Sequence, residues 1–113
     1  MRQQKKLAIA SRFENELKIF ERLENASDRW NQLERLHIIA QSNITFHYKT
    51  HLMMLRLAIK ESNLWEVLGQ LLRLVLVAPG HLLGTLPRGN VGTTRVSAFK
   101  PMKLPSDLDD LLK

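Results

Sequence analysis

The chain contains no cysteine, which excludes disulfides and thiolate metal ligands. Any metal it binds must be held by imidazole and carboxylate. Glycine and proline are scarce, five and four in 113 residues, and 44% of the residues are hydrophobic, so a packed globule is expected. A chain of this length forms one domain and buries roughly two-thirds of its unfolded surface. Long apolar runs are also missing. The basic start MRQQKK leads into an apolar run of only Leu7 to Ala10, too short for the hydrophobic region of a signal peptide. The greasiest stretch, Leu64 to Leu86, is interrupted by Glu66, Gln70, Arg73, Pro79 and His81, which argues against a membrane span. These absences predict a soluble protein, with the cytoplasm as its plainest location.

The net charge is +6, and the excess lies at the ends. Residues 1–12 carry four basic and no acidic groups, residues 13–85 carry eight of each, and residues 86–113 carry five basic and three acidic. The ends read as solvated tails, with a nonspecific anionic contact as the alternative. No helix carries the basic stripe of its own that specific nucleic-acid binding needs.

Apolar periodicity predicts four helices. The first covers about 7–24, with Ile9, Phe13, Phe20 and Leu23 in one stripe and Glu16 inside it. The second covers about 28–41, capped by Ser27 or Asp28. It places Trp30, Leu33, His37 and Ile38 on a face shared with Glu34 and Gln41, while Gln32 and Arg35 point away. The third covers about 44–62 behind Asn43 or Thr45, with His47, His51, Met54 and Ala58 opposite Lys49, Arg56 and Lys60. The fourth starts near Ser62 or Asn63 and runs from Leu64 to Ala78, where Pro79-Gly80 stops it. Leu68, Leu71, Leu72, Val75 and Leu76 make it read as core, with Glu66, Gln70 and Arg73 as a narrow polar strip. Trp30 and Trp65 read as packing anchors, and His81 as a solvated loop residue.

The expected fold class is all-α: two antiparallel helical hairpins, in a tetratricopeptide-like or four-helix arrangement, over residues 1–80. Residues 81–113 are expected to pack on the same domain as an extended C-terminal segment with a short last helix, Asp107 to Leu112. A weak internal echo, SDRWNQLERL at 27–36 and SNLWEVLGQL at 62–71, supports the hairpin pairing. The segment from Gly80 to Pro105 has no helical period and reads as a functional cover or a poorly ordered stretch, with Leu86, Val96, Phe99 and Met102 available to pin it.

LERLHIIAQ, HYKTHLMML, EVLGQLLRLV and LPRGNVG…VSAFKPM…LPSDL, in this order along most of the chain, resemble the bacterial domain-of-unknown-function family 3703. The resemblance implies a small helical protein, and its motif positions fall on Glu34, His37, Gln41, His47, His51, Gly69, Gln70, Gly89, Asn90 and Pro101. The family's Gly-Asn-Thr-Gly-Gly pattern reads Gly89-Asn90-Val91-Gly92-Thr93 here, and Pro79 and His81 depart from it.

The residues that carry chemistry are Glu16, Glu34, His37, His47 and His51, one set of inward positions from three successive helices. Glu34 and His37 sit three apart, and His47 and His51 four apart, so each pair shares a helical face. A Glu-x-x-His on one helix with a His-x-x-x-His on the next suits a transition metal such as zinc, iron or copper. The expected ligands are therefore Glu34, His37, His47 and His51, with Glu16 as a further ligand or supporting base. A structural polar network and metal-free acid/base catalysis are the alternatives, and a tetratricopeptide-like module binding a protein partner is the rival function. Gly89-Asn90-Val91-Gly92 lacks the strand and helix of a phosphate loop and reads as turns. Metal identity, substrate and oligomeric state stay open at this level.

Overall fold

Three asparagines set the frame of the molecule. In the computed structural model, which describes residues 2–113, α1 spans Arg2–Arg22, α2 Ala26–Ala40, α3 Ile44–Lys60, α4 Leu64–Leu83 and α5 Ser106–Leu112. Asn25, Asn43 and Asn63 stand immediately before α2, α3 and α4. The Oδ1 of each accepts the backbone N–H three residues on, at 3.1 Å in every case. Each cap satisfies a donor that the first turn leaves without a partner and contributes about 1 kcal/mol. For α2 the cap is thus Asn25 instead of Ser27 or Asp28, because its side chain reaches the Asp28 N–H and leaves Ser27 inside the helix. α1 likewise begins at Arg2, ahead of the apolar stripe that marks it in the sequence.

Short links force consecutive helices side by side. α1 packs on α2, α2 on α3 and α3 on α4, while α5 returns to α1. The fold is all-α, with no strand among the described residues, and its packing order is compatible with two hairpins. The apolar core lies mainly among α1, α2 and α3 and includes Phe13, Leu33, Leu36, Ile39 and Met54, each fully buried. Phe13 stacks on Phe46 with ring centroids 4.3 Å apart. The C-terminal half of α2 is buried on nearly every side, and Gln32, expected to point away, is buried with it.

α4 departs most from expectation. It continues through Pro79-Gly80 to Leu83 and ends on Gly84, whose φ of 67° is the left-handed conformation a helix stop favours. Proline removes its own N–H and crowds the carbonyl four residues back, here that of Val75, but both residues face solvent and the N–H groups beyond Pro79 carry the helix on to Leu83. The helix is also inverted. Its buried residues are Glu66, Gln70, Arg73 and Val77, whereas Leu68, Leu72 and Val75 are 63%, 53% and 71% exposed. Trp65 is exposed with them and anchors nothing, unlike Trp30, which packs against the core and donates its indole N–H to Glu61 at 2.9 Å. The polar residues that interrupt the apolar stretch in sequence gather on the inward side. By length and composition alone, Leu64–Leu83 is long and apolar enough to cross a membrane.

Residues 85–105 form an irregular strap laid over α2 and α4, and the cover reading is the one the structure supports. Val91, Gly92 and Thr93 are buried, and Val96 and Met102 pack against the core, while Phe99 stays exposed and pins nothing. Asn90 organises the strap. It is 2% exposed, its Nδ2 donates to the carbonyls of Ser97 and Lys100, and its Oδ1 accepts the Gly92 N–H.

Candidate metal centre

Three imidazoles meet beneath the strap. His37 comes from α2, and His47 and His51 come from adjacent turns of α3. Their side chains are all buried, and one nitrogen of each lies within 4.8 Å of the others. The Nε2 of His37 is 3.0 Å from the Nε2 of His51 and 3.0 Å from the Nε2 of His47. The extended reach of α4 brings in a fourth ring. His81, expected in a solvated loop, sits half-buried on that helix with its Nε2 2.9 Å from the Nδ1 of His47.

The outer nitrogens fix the proton positions. His37 Nδ1 lies 2.7 Å from the Asn90 carbonyl oxygen, which only accepts, so Nδ1 carries the proton. His51 Nδ1 lies 2.7 Å from Gln70 Oε1. The orientation of that amide is set by its other end, whose Nε2 donates to Glu66 Oε2 at 2.8 Å and to the Gly92 carbonyl at 3.0 Å. Gln70 therefore presents oxygen to His51, and His51 also carries its proton on Nδ1. Glu66 is held in turn by the Thr94 hydroxyl at 2.6 Å. His47 completes the pattern when it donates its Nδ1 proton to His81.

Burial keeps these rings neutral. It drives His37 well below the usual imidazole range, and crowding by His51 and His47 adds to the effect. His47 falls to about 3, through burial and then through His51 and His81. His51 falls to about 4, again mainly through burial, against a partial opposing effect of its bond to Gln70. Burial lowers His81 as well. A neutral imidazole protonated at Nδ1 has a bare lone pair at Nε2. In His37 and His51, two such lone pairs face each other at 3.0 Å.

The strap closes one side and leaves a small opening on another. Gly92, at φ 86°, lies so close that a Cβ there would meet His37 Cγ and Cδ2 at 2.5 Å. A cavity of about 40 Å³ adjoins the rings, lined by His37, His47, His51, Arg73, Leu76 and Asn90 among others.

The two expected carboxylates are placed elsewhere. Glu16 accepts from Arg12 at 3.0 Å, Arg35 at 3.0 Å and Gln32 at 2.9 Å, within a network that Asp107 joins from α5. Burial pushes its carboxyl up, but the hydrogen bonds from Arg35, Arg12 and Gln32 outweigh burial and hold it below the usual range. Glu34 accepts from the Thr93 hydroxyl at 2.6 Å and from Arg95 at 2.8 Å, and so ties the strap to α2. The correction to the expected ligand set is that arginine pairing takes both carboxylates out of the histidine cluster. Gln41 spans to the Pro87 carbonyl and the Gly89 N–H and supports the strap. Glu66, Gln70 and His81 are the supporting residues that sequence reasoning missed as a set, although their spacing along one inward helical face was the available signal.

Searches of curated proteins and of solved structures return no match. The family model described as "Protein of unknown function (DUF3703)" covers residues 6–112, nearly the whole chain, and the protein belongs to that family.

Proposed function

We propose that this protein binds one transition-metal ion through the Nε2 atoms of His37, His47 and His51. The observation that carries the reading is the His37–His51 contact. Both Nδ1 protons are committed to oxygen acceptors, so two lone pairs oppose each other at 3.0 Å with no proton between them. Protonating either ring would relieve the conflict, but burial opposes it. A cation relieves it without a buried imidazolium. Nitrogens sharing a tetrahedral ion at 2.0–2.1 Å lie about 3.3 Å apart, so small ring rotations suffice.

The supporting shell has the form that metal-binding histidines use. Two outer nitrogens meet acceptors, the Asn90 carbonyl and the Gln70 amide backed by Glu66, and the third faces His81, which accepts in the tautomer that frees His47 Nε2. Three neutral imidazoles favour zinc, with iron or copper as competitors, and exclude magnesium and calcium, which prefer oxygen. The adjoining cavity leaves a fourth position open, as in metal sites that carry a water and lower its proton affinity.

The test is titration of metal-stripped protein with Zn²⁺ and Co²⁺. Saturation at one equivalent is expected, with Co²⁺ giving the intense visible bands of a four- or five-coordinate nitrogen site. Metal in hundredfold excess over its dissociation constant stabilises by about 2.7 kcal/mol, which raises Tm by roughly 10 °C in a chain of this size. Absence of saturable uptake, or uptake unchanged in His37→Ala and His51→Ala, overturns the reading.

A further inference from the structure

The histidine cluster has a cationic neighbour that metal binding alone does not explain. Arg73 is 8% exposed and lines the same cavity as His37, His47 and His51. Among the described residues it forms no ion pair within contact distance, although the charge of Glu66 acts on it. Its NH1 donates to the Gly69 carbonyl at 3.1 Å, and its NH2 donates to the carbonyls of Thr93 and Val96 at 3.2 and 3.0 Å. The Nε of Arg73 is buried with no hydrogen-bond partner. An orphaned donor on a buried guanidinium is costly unless something else satisfies it.

The Arg73 guanidinium lines the same cavity as the rings, and the buried Glu66 is the carboxylate whose charge acts on both Arg73 and His51. A divalent ion among neutral imidazoles would add two positive charges to that of Arg73, against this one carboxylate. An anion in the cavity answers both problems by neutralising the ion and offering an acceptor to Arg73. The cavity of about 40 Å³ has room for roughly three water-sized atoms.

We infer that the open position of the three-histidine site takes a small monoanion of one to three heavy atoms, held between the ion and Arg73. This inference rests on the metal reading above. By linkage, the anion and the metal then strengthen each other's binding by the same factor.

Azide is the probe, and Co²⁺-loaded protein the reporter. Millimolar azide is expected to shift the visible bands and raise Co²⁺ affinity about tenfold. In Arg73→Gln and Arg73→Lys, checked for native helicity, the glutamine variant loses most of that gain while its azide-free Co²⁺ affinity is unchanged or higher. The lysine variant retains part of it. A purely structural arginine would weaken Co²⁺ binding with and without azide alike, and that outcome overturns the inference. So do Co²⁺ bands in the unaltered protein that azide neither shifts nor strengthens, although the metal reading survives that result. If no Co²⁺ bands appear at all, both readings fall.

A second observation, independent of the histidines, concerns the outward face of α4. Its exposed positions are Leu64, Trp65, Leu68, Leu71, Leu72, Val75, Ala78, Pro79, Leu82 and Leu83, and every one is apolar. Leu64, Leu68, Leu71, Val75, Ala78 and Leu82 alternate steps of four and three, the seam spacing of paired helices. Eight large side chains on this face, between 46% and 87% exposed, offer on the order of 600–800 Å² of apolar surface, about one partner's share of a standard interface.

We propose that a second copy of this chain covers the face, with α4 packed against α4 about a two-fold axis. The seam spacing and the size of the face suit a helical partner. Lipid would need no such register, and the inward side chains hold α4 in place: Gln70 bonds to His51 of α3 and to Gly92 of the strap, Glu66 to Thr94 and Arg73 to Thr93.

Sedimentation velocity of the full chain tests it. A species of twice 13.1 kDa is expected, and the double variant Leu68→Glu, Val75→Glu, with unchanged helicity, should sediment as a monomer. A monomeric parent chain at all concentrations overturns the proposal. A monomer that floats with phosphatidylcholine vesicles, and loses that binding in the double variant, overturns it in favour of a lipid surface.

Discussion

The Nδ1 protons of the clustered histidines govern what their Nε2 atoms can bind. Gln70 is a positioning residue, because its amide oxygen accepts the His51 proton at 2.7 Å while Glu66 and the Gly92 carbonyl hold the amide in place. Gln70→Ala should lower Zn²⁺ affinity about 10–100-fold, measured by competition with a chelating dye, while His51 itself remains. Gly92 acts through space. A methyl group there, in a left-handed backbone and 2.5 Å from the His37 ring, must displace either the ring or the strap. Gly92→Ala is expected to abolish tight metal uptake and to cost at least 1–2 kcal/mol by thermal denaturation, roughly the strain of a non-glycine residue in that conformation plus the clash. At this scale the sequence showed the three histidines, since helical spacing reveals which side chains share a face. It could not show which carboxylate meets which cation. Glu16 and Glu34 do face inward, but Arg12 and Arg35 reach the first, and Arg95 arrives from a strap whose path has no period to read.

α4 shows the same limit at the level of an element. Its period was legible and its polarity was not, because a helix with an apolar face and a polar strip looks identical whichever side is buried. Glu66, Gln70 and Arg73 read as a narrow polar strip on a core helix, and they are its inward face. Pro79 misled for a related reason. It marks a stop in most helices, but here it sits one turn before Gly84 and faces solvent, so the helix runs on far enough to deliver His81 to His47. Pro79→Ala restores a backbone donor in the last turn. It should raise stability by about 1 kcal/mol in urea denaturation, the gain in helix propensity being partly offset by a freer unfolded chain. The caps were the most legible feature of the elements, since asparagine before an apolar-periodic run has a direct mechanism. Asn43→Ala should cost about 1 kcal/mol.

For the whole molecule, a buried cluster of neutral histidines makes stability depend on pH. In the unfolded chain each titrates near 6.5, whereas in the fold His47 titrates at about 3 and His51 at about 4, and His37 is also depressed. Below pH 6.5 the unfolded state therefore binds more protons than the native one, and stability falls as pH falls. Above pH 6.5 both states are neutral at these rings and the contribution is fully present. Between pH 7.5 and 5, His47 and His51 together remove about 4 kcal/mol, with His37 adding to the loss, a large share of the 5–15 kcal/mol typical of a domain. The carboxylate Glu16 works in the same direction only at lower pH, since its pairing with Arg35 and Arg12 is lost as it protonates. Metal-free protein should accordingly unfold cooperatively near pH 5, followed by far-UV circular dichroism. One equivalent of Zn²⁺ should move that midpoint to lower pH, because protons must then displace the ion as well. His47→Gln, which has no proton to gain in this range, should flatten the acid limb of the metal-free curve. A midpoint below pH 4 with no dependence on Zn²⁺ would mean that the rings are neither buried neutral nor ligating.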